Sequence, residues 1–165
     1  MIRVMDKLTV GLTLLLLSGL LFVISIPYSF AFTCDTNPCF GTDENDKIAG
    51  TLADDIIFGK AGNDEIGASN GNDKVSGGDG DDVDGGGNGD DDVSGGAGDD
   101  YVIGDAGEDN LKGGTGDDLV FATDNFDFTD GAIDTLKCGP GLDKAYLDIN
   151  EGDTASNDCE TLITP

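Results

Sequence analysis

From Gly41 to Phe121 the chain repeats every nine residues, and that period leaves few folds open to it. Nine nonamers follow without a gap: GTDENDKIA, GTLADDIIF, GKAGNDEIG, ASNGNDKVS, GGDGDDVDG, GGNGDDDVS, GGAGDDYVI, GDAGEDNLK and GGTGDDLVF. The sixth position is Asp in all nine, at Asp46, Asp55, Asp64, Asp73, Asp82, Asp91, Asp100, Asp109 and Asp118. The eighth is aliphatic in eight: Ile48, Ile57, Ile66, Val75, Val93, Val102, Leu111 and Val120. Glycine fills the first position in eight units and the fourth in seven. A disordered acidic linker would share the composition but not this register. A unit this short cannot bury a core alone, and stacking many of them is what builds a continuous structure.

The physics of one unit follows from its residues. Glycine at the first and fourth positions, with Asx near the fifth, is expected to turn the backbone through positive φ. It also leaves carbonyl oxygens uncovered by side chains. Three residues remain for a short strand whose middle, aliphatic member points one way while its neighbours point out. Each unit thus supplies one inward apolar side chain, one turn and one fixed carboxylate. The block holds 22 acids against 4 lysines, so stacking it requires a neutralising cation. Calcium fits best, because it takes six to eight oxygens from carboxylates and carbonyls in adaptable geometry. Magnesium demands stricter octahedra, and softer metals favour His or Cys, which the block lacks.

Composition narrows the chemistry further. Among 165 residues there are 34 acids, 8 basic residues and no histidine, for a formal charge of −26. Without imidazole there is no Ser-His or Cys-His nucleophile pair. The negative field repels phosphate backbones, which rules against nucleic acid as a partner. Paired acids such as Asp99-Asp100 resemble glycosidase carboxylates only superficially, since every turn repeats them. No EF-hand loop is present, and the glycine run at Gly85-Gly86-Gly87 lacks the Lys-Ser/Thr pair of a phosphate loop.

The ends of the chain carry a different signal. Arg3 and Lys7 precede an apolar run from Leu8 to Ile26, then Pro27 leads into Ser29-Phe30-Ala31, a small-x-small pattern. This is the form of a secretory signal peptide cleaved after Ala31; uncleaved, the run is long enough to anchor the chain in a membrane. Four cysteines suit an oxidising exterior and allow three pairings. Local loop closure favours Cys34–Cys39 and Cys138–Cys159, one pair on either flank of the acidic block.

The nonamers resemble the hemolysin-type, or RTX, calcium-binding repeat, whose motif is GGxGxDxUx with U a large apolar residue. The resemblance implies an all-β, right-handed parallel β-roll (β-solenoid) with two nonapeptides per coil. It also implies that calcium lies between turns stacked on the same side, held by the sixth-position Asp and by carbonyls of the glycine-rich turn. The side-chain ligands would then be Asp46, Asp55, Asp64, Asp73, Asp82, Asp91, Asp100, Asp109 and Asp118, with about five to seven Ca2+ ions in the stack. Glu44 and Ala53 stand where the motif has its fourth-position Gly, which weakens the first sites. Unit 77–85 carries Asp84 at the inward position and Val83 one place early. Burying an unpaired Asp84 is costly, so a local slip or bulge that turns Val83 inward is expected. Two weaker nonamers reappear as TDGAIDTLK from Thr129 and CGPGLDKAY from Cys138, carrying Asp134 and Asp143 at the sixth position. The roll is expected to continue into them and to end in a disulfide-linked C-terminal cap. Phe126 and Phe128, in the interruption, are expected to cover the open end.

The chain therefore divides into a signal peptide, 1–31; an N-terminal cap with Cys34 and Cys39, 32–40; nine repeats, 41–121; and degenerate repeats with a C-terminal cap, 122–165. The expected function is that of an exported, extracellular calcium-binding protein whose folding is coupled to Ca2+, with a structural or interaction role. An enzyme is not expected, because the residues outside leader and repeats are too few for a catalytic domain. The alternative is an adhesive or ice-binding surface on the outward strand faces. Positions seven and nine are mixed there, as Lys47, Glu65 and Tyr101 or Ala49, Phe58 and Ile103 illustrate, so no single-residue face emerges.

Overall fold

The computed structural model describes residues 30–122, 131–150 and 152–164. The expected leader lies almost wholly outside these residues, as do Phe126 and Phe128. The elements are fifteen strands. They open with β1 (Phe30–Thr33), β2 (Cys39–Phe40), β3 (Asp46–Ala49), β4 (Ile56–Ala61) and β5 (Glu65–Asn70). The middle is β6 (Lys74–Asp79), β7 (Val83–Asn88), β8 (Asp92–Ala97), β9 (Tyr101–Ala106) and β10 (Asn110–Thr115). The last are β11 (Leu119–Phe121), β12 (Thr135–Lys137), β13 (Lys144–Tyr146), β14 (Thr154–Ala155) and β15 (Thr161–Ile163). Among the described residues there is no helix, hence none long and apolar enough to cross a membrane.

Odd-numbered strands form one eight-stranded parallel sheet and even-numbered strands a seven-stranded one. Consecutive strands alternate between the sheets, so the chain winds as a parallel β-solenoid. Partners within a sheet are two nonamers apart: Ile48 pairs with Ile66, Val75 with Val93 and Tyr101 with Leu119. The nine-residue period and the coil are therefore commensurate, and every unit meets a unit of the same phase above and below.

Strands β4 to β10 each span six residues rather than the expected three. They run from the seventh position of one unit through the third of the next, because the first two positions continue the ladder: Gly78 pairs with Gly96, for example. Burial alternates along them, so that the eighth and first positions both face inward. This corrects the expected role of the first glycine. Left-handed φ occurs at the second and fourth positions, as at Gly96 (132°) and Gly98 (133°), and at the non-glycine second positions Lys60, Ser69 and Asp105. The first-position glycines are needed for room. A Cβ on Gly95 would run into the Asp100 carboxylate.

The core is two facing aliphatic columns. Ile48, Ile66, Val102, Val120 and Ala145 line one sheet, and Ile57, Val75, Val93, Leu111 and Leu136 the other, all essentially excluded from solvent. Asp84 interrupts the first column. The expected bulge does not form: Glu65 pairs with Val83 and Ile66 with Asp84, leaving Val83 43% exposed and Asp84 fully buried. A one-residue slip would reverse the facing of the whole strand and pull it out of phase with the coils on both sides.

Both sheets continue past the ninth repeat, through β12 and β14 on one side and β13 and β15 on the other. The interruption after Ala122 lengthens one coil, so that Asp109 and Asp118 meet partners 25 residues on instead of 18. Cysteines 34 and 39 are bridged, with Cα atoms 5.4 Å apart, as are Cys138 and Cys159 at 5.1 Å. These are the pairings that local closure favours.

Candidate metal centre

The sixth-position aspartates sit where the turn enters the strand. There the backbone N–H of each Asp is not yet part of the sheet ladder, although its carbonyl is: Asp82 O accepts from Tyr101 N. The orphaned N–H donates instead to the Oδ1 of the sixth-position Asp one coil further on, at 2.7 to 3.0 Å. Two carboxylate columns result, one on each side of the roll. Asp46, Asp64, Asp82, Asp100, Asp118 and Asp143 form the first, and Asp55, Asp73, Asp91, Asp109, Asp134 and Asp153 the second. All nine expected ligand residues are in these columns, each no more than 5% exposed.

The columns are longer than the nine repeats. Asp134 and Asp143 extend them in phase, and Asp153 and Glu160 close them by accepting from Asp134 N and Asp143 N. The last two escape a search by period, because their spacings are 19 and 17 residues. Short strands and looser turns near the C-terminus absorb that drift.

With Oδ1 engaged, the other oxygen decides the chemistry. Oδ2 of Asp64, Asp73, Asp82, Asp91, Asp100, Asp118 and Asp143 is buried and accepts no hydrogen bond. Where the unit begins with glycine, Oδ2 points at the space beside it, as for Asp91 at Gly86 and Asp100 at Gly95, and at Gly59, Gly77 and Gly113 a carbonyl of the next coil also arrives there. A Cβ on Gly59 would meet both Asp64 Oδ2 and the Gly77 carbonyl, and one on Gly113 both Asp118 Oδ2 and the Cys138 carbonyl. Buried acceptors facing one another without a donor are destabilising.

The electrostatics express the same problem. Burial, and then repulsion from Asp118 and Asp82, pushes the Asp100 carboxyl up to about 7 against the hydrogen bond from Asp82 N. Burial raises Asp82, Asp91 and Asp118 to about 6. Asp92, on the outer face, shows the contrast: although partial burial raises it, hydrogen bonds from Lys112 and Lys74 hold it below the ordinary value. Among the described residues, no lysine pairs in this way with Asp64, Asp73, Asp82, Asp91, Asp100, Asp118 or Asp143.

Asp46 and Asp55 differ from the rest. In their units Thr42 and Thr51 occupy the second position, and each gives a backbone N–H at 2.6 Å and a hydroxyl at 2.9 Å to the Asp Oδ2. These two carboxylates are partly satisfied by the protein itself.

A second, exposed ladder lies outside the first. Fifth-position side chains accept through Oδ1 from the N–H of the fifth-position residue one coil later, at 2.9 to 3.3 Å, along Asn45, Asn63, Asp81, Asp99 and Asp117 and along Asp54, Asn72 and Asp90. It runs opposite to the sixth-position ladder. The sequence marks these residues only as turn formers and solvated acids, since their bonding depends on a neighbour 18 residues away.

The donor set as a whole is oxygen only. No three His, Cys, Asp or Glu side chains converge on one point among the described residues, so an ion between coils would draw on carbonyl oxygens as well as carboxylates. That mixture suits a hard cation, calcium above magnesium. A family model, the RTX calcium-binding nonapeptide repeat, matches in four copies over residues 40–75, 68–83 and 85–120. No curated protein and no solved structure matches the chain. Over residues 40–120 the chain belongs to the RTX calcium-binding nonapeptide-repeat family.

Proposed function

We propose that this is an exported protein whose β-roll folds on binding calcium outside the cell, where it serves as a structural or interaction module. The observation that carries the reading is the row of buried Oδ2 atoms that accept no hydrogen bond, three of which, on Asp64, Asp82 and Asp118, face a carbonyl of the next coil. The proposed ligands are Asp46, Asp55, Asp64, Asp73, Asp82, Asp91, Asp100, Asp109 and Asp118, with the best sites in the middle and the first two weaker. Asp143 is added on the same ground. About five to seven ions are expected. When bound, calcium supplies the positive charge that the stacked carboxylates lack. The chain's own part, from Asp64 onward, is to fix each carboxylate through Oδ1 and leave Oδ2 aimed inward. Extracellular calcium modules bind at roughly 10⁻⁴ to 10⁻³ M, so the chain would stay unfolded at cytosolic calcium and fold after export. Export itself rests on the form of residues 1–31.

The test is far-UV circular dichroism of residues 32–165, titrated with calcium and separately with magnesium. A coil-to-β transition at sub-millimolar to millimolar calcium, absent with magnesium, is expected. A spectrum unchanged by either ion would overturn the proposal.

A further inference from the structure

Asp84 occupies a position where every other repeat from Gly41 to Phe121 carries an aliphatic side chain. It sits in the middle of the apolar column, between Ile66 and Val102 in register, with no solvent exposure. Both of its carboxylate oxygens are buried and neither accepts a hydrogen bond. An unpartnered carboxylate in such a place is expensive, and nothing in the backbone turns it away.

What it faces is specific. Gly77, in β6 of the opposite sheet, presents no side chain, and three oxygens crowd the space its Cβ would fill. Asp84 Oδ2 comes within 2.5 Å of that point and the Gly95 carbonyl within 2.8 Å, with Asp82 Oδ2 alongside. All three are acceptors, and two are carboxylate oxygens that accept no hydrogen bond. Elsewhere in the row the corresponding space is bordered by a single carboxylate: at Gly59 it is Asp64 alone, and at Gly113 Asp118 alone.

We propose that Asp84 joins Asp82 and the Gly95 carbonyl as a ligand, which makes the space beside Gly77 a two-carboxylate calcium site that binds more tightly than the single-carboxylate sites of the row. Two carboxylates balance one divalent ion, so the site is neutral when filled. Asp84 can give both oxygens, which together with Asp82 and Gly95 supplies four of the six to eight that calcium takes. The lack of a Cβ at Gly77 keeps the space open. In this site the interrupted column is held by an ion where its neighbours are held by apolar contact.

The inference rests on the reading of Asp82 as a calcium ligand, and the experiment separates the two. Native mass spectrometry of the intact protein across a calcium titration counts bound ions in the wild type and in Asp84→Val and Asp84→Ile. Both substitutions restore the side-chain class of Val102 and Ile66, and circular dichroism verifies that each variant has folded. The expected result is one ion fewer in each variant at limiting calcium, with the others retained. Equal counts above zero in all three proteins at every calcium concentration would overturn the role of Asp84 alone. A wild type that binds no calcium would overturn the reading of the whole row, and this site with it.

Discussion

At the scale of single residues, one carboxylate does two jobs with its two oxygens. Oδ1 completes the backbone hydrogen bonding of the coil before it, and Oδ2 is left without a donor, as the oxygen that the proposed cation would take. Asp100 shows both: it accepts from Asp82 N at 2.9 Å, and its Oδ2 is buried without a donor. Removing it orphans an amide in the interior, worth about 1–3 kcal/mol, or roughly one to two decades in an equilibrium constant. Asp100→Ala should therefore raise the calcium midpoint of folding by about tenfold or more. Asp46 lies in the first turn, where Thr42 already satisfies Oδ2, and Asp46→Ala should move the midpoint by less than about threefold. Equal shifts in the two titrations would count against a stack whose centre is held more tightly than its end. The periodic Asp is plain in the sequence. The division of labour between its oxygens is not, because Oδ1 finds its donor 18 residues away.

At the scale of the strand, the eighth position carries the packing. Leu111 of β10 is fully buried, while Val83 of β7 is 43% exposed although it is equally apolar. Leu111→Ala should destabilise the calcium-loaded roll by about 2–5 kcal/mol. Val83→Thr should stay within about 0.5 kcal/mol, as surface changes usually do. Thermal unfolding at saturating calcium distinguishes them, and a large loss from Val83→Thr would mean that this side chain, not Asp84, is turned inward. Strand facing was legible wherever an aliphatic residue marks the eighth position. Strand length was not, because the second inward position is glycine and leaves no apolar signal. The slip expected at Asp84 was a local argument about one costly carboxylate. It loses to the phase of the coils on either side, which fixes β7 against β5 and β9.

At the scale of the whole molecule, the roll brings like charges into columns, and under the proposed function protons compete with calcium for them. Burial raises Asp82, Asp91 and Asp118 to about 6 and Asp100 to about 7, from an ordinary value of 3.8. The folded state then binds more protons than the unfolded state across that window, so stability falls as pH rises through it. The benefit is complete below about pH 4 and gone above about 7. Without calcium, the β signal should accordingly be greater near pH 4.5 than at pH 7.5, and calcium should restore it at the higher pH. Circular dichroism in chelator across that range checks this. A calcium-free roll equally folded at both would mean that its carboxylates are not desolvated together.

The sequence by itself determined the unit, its period and its chemistry. A nonamer with fixed Gly, Asp and aliphatic positions can bury its apolar residue only by stacking on copies of itself, and its acids demand a hard cation. Local loop closure also pointed to both disulfides. Only the tertiary structure decided which atoms meet. The opposed fifth- and sixth-position ladders, the closing roles of Asp153 and Glu160, and the convergence of Asp84, Asp82 and the Gly95 carbonyl beside Gly77 all join residues through neighbouring coils or across the core. Such contacts depend on register between coils and on the room left by an absent side chain, and a reading of one unit at a time contains neither.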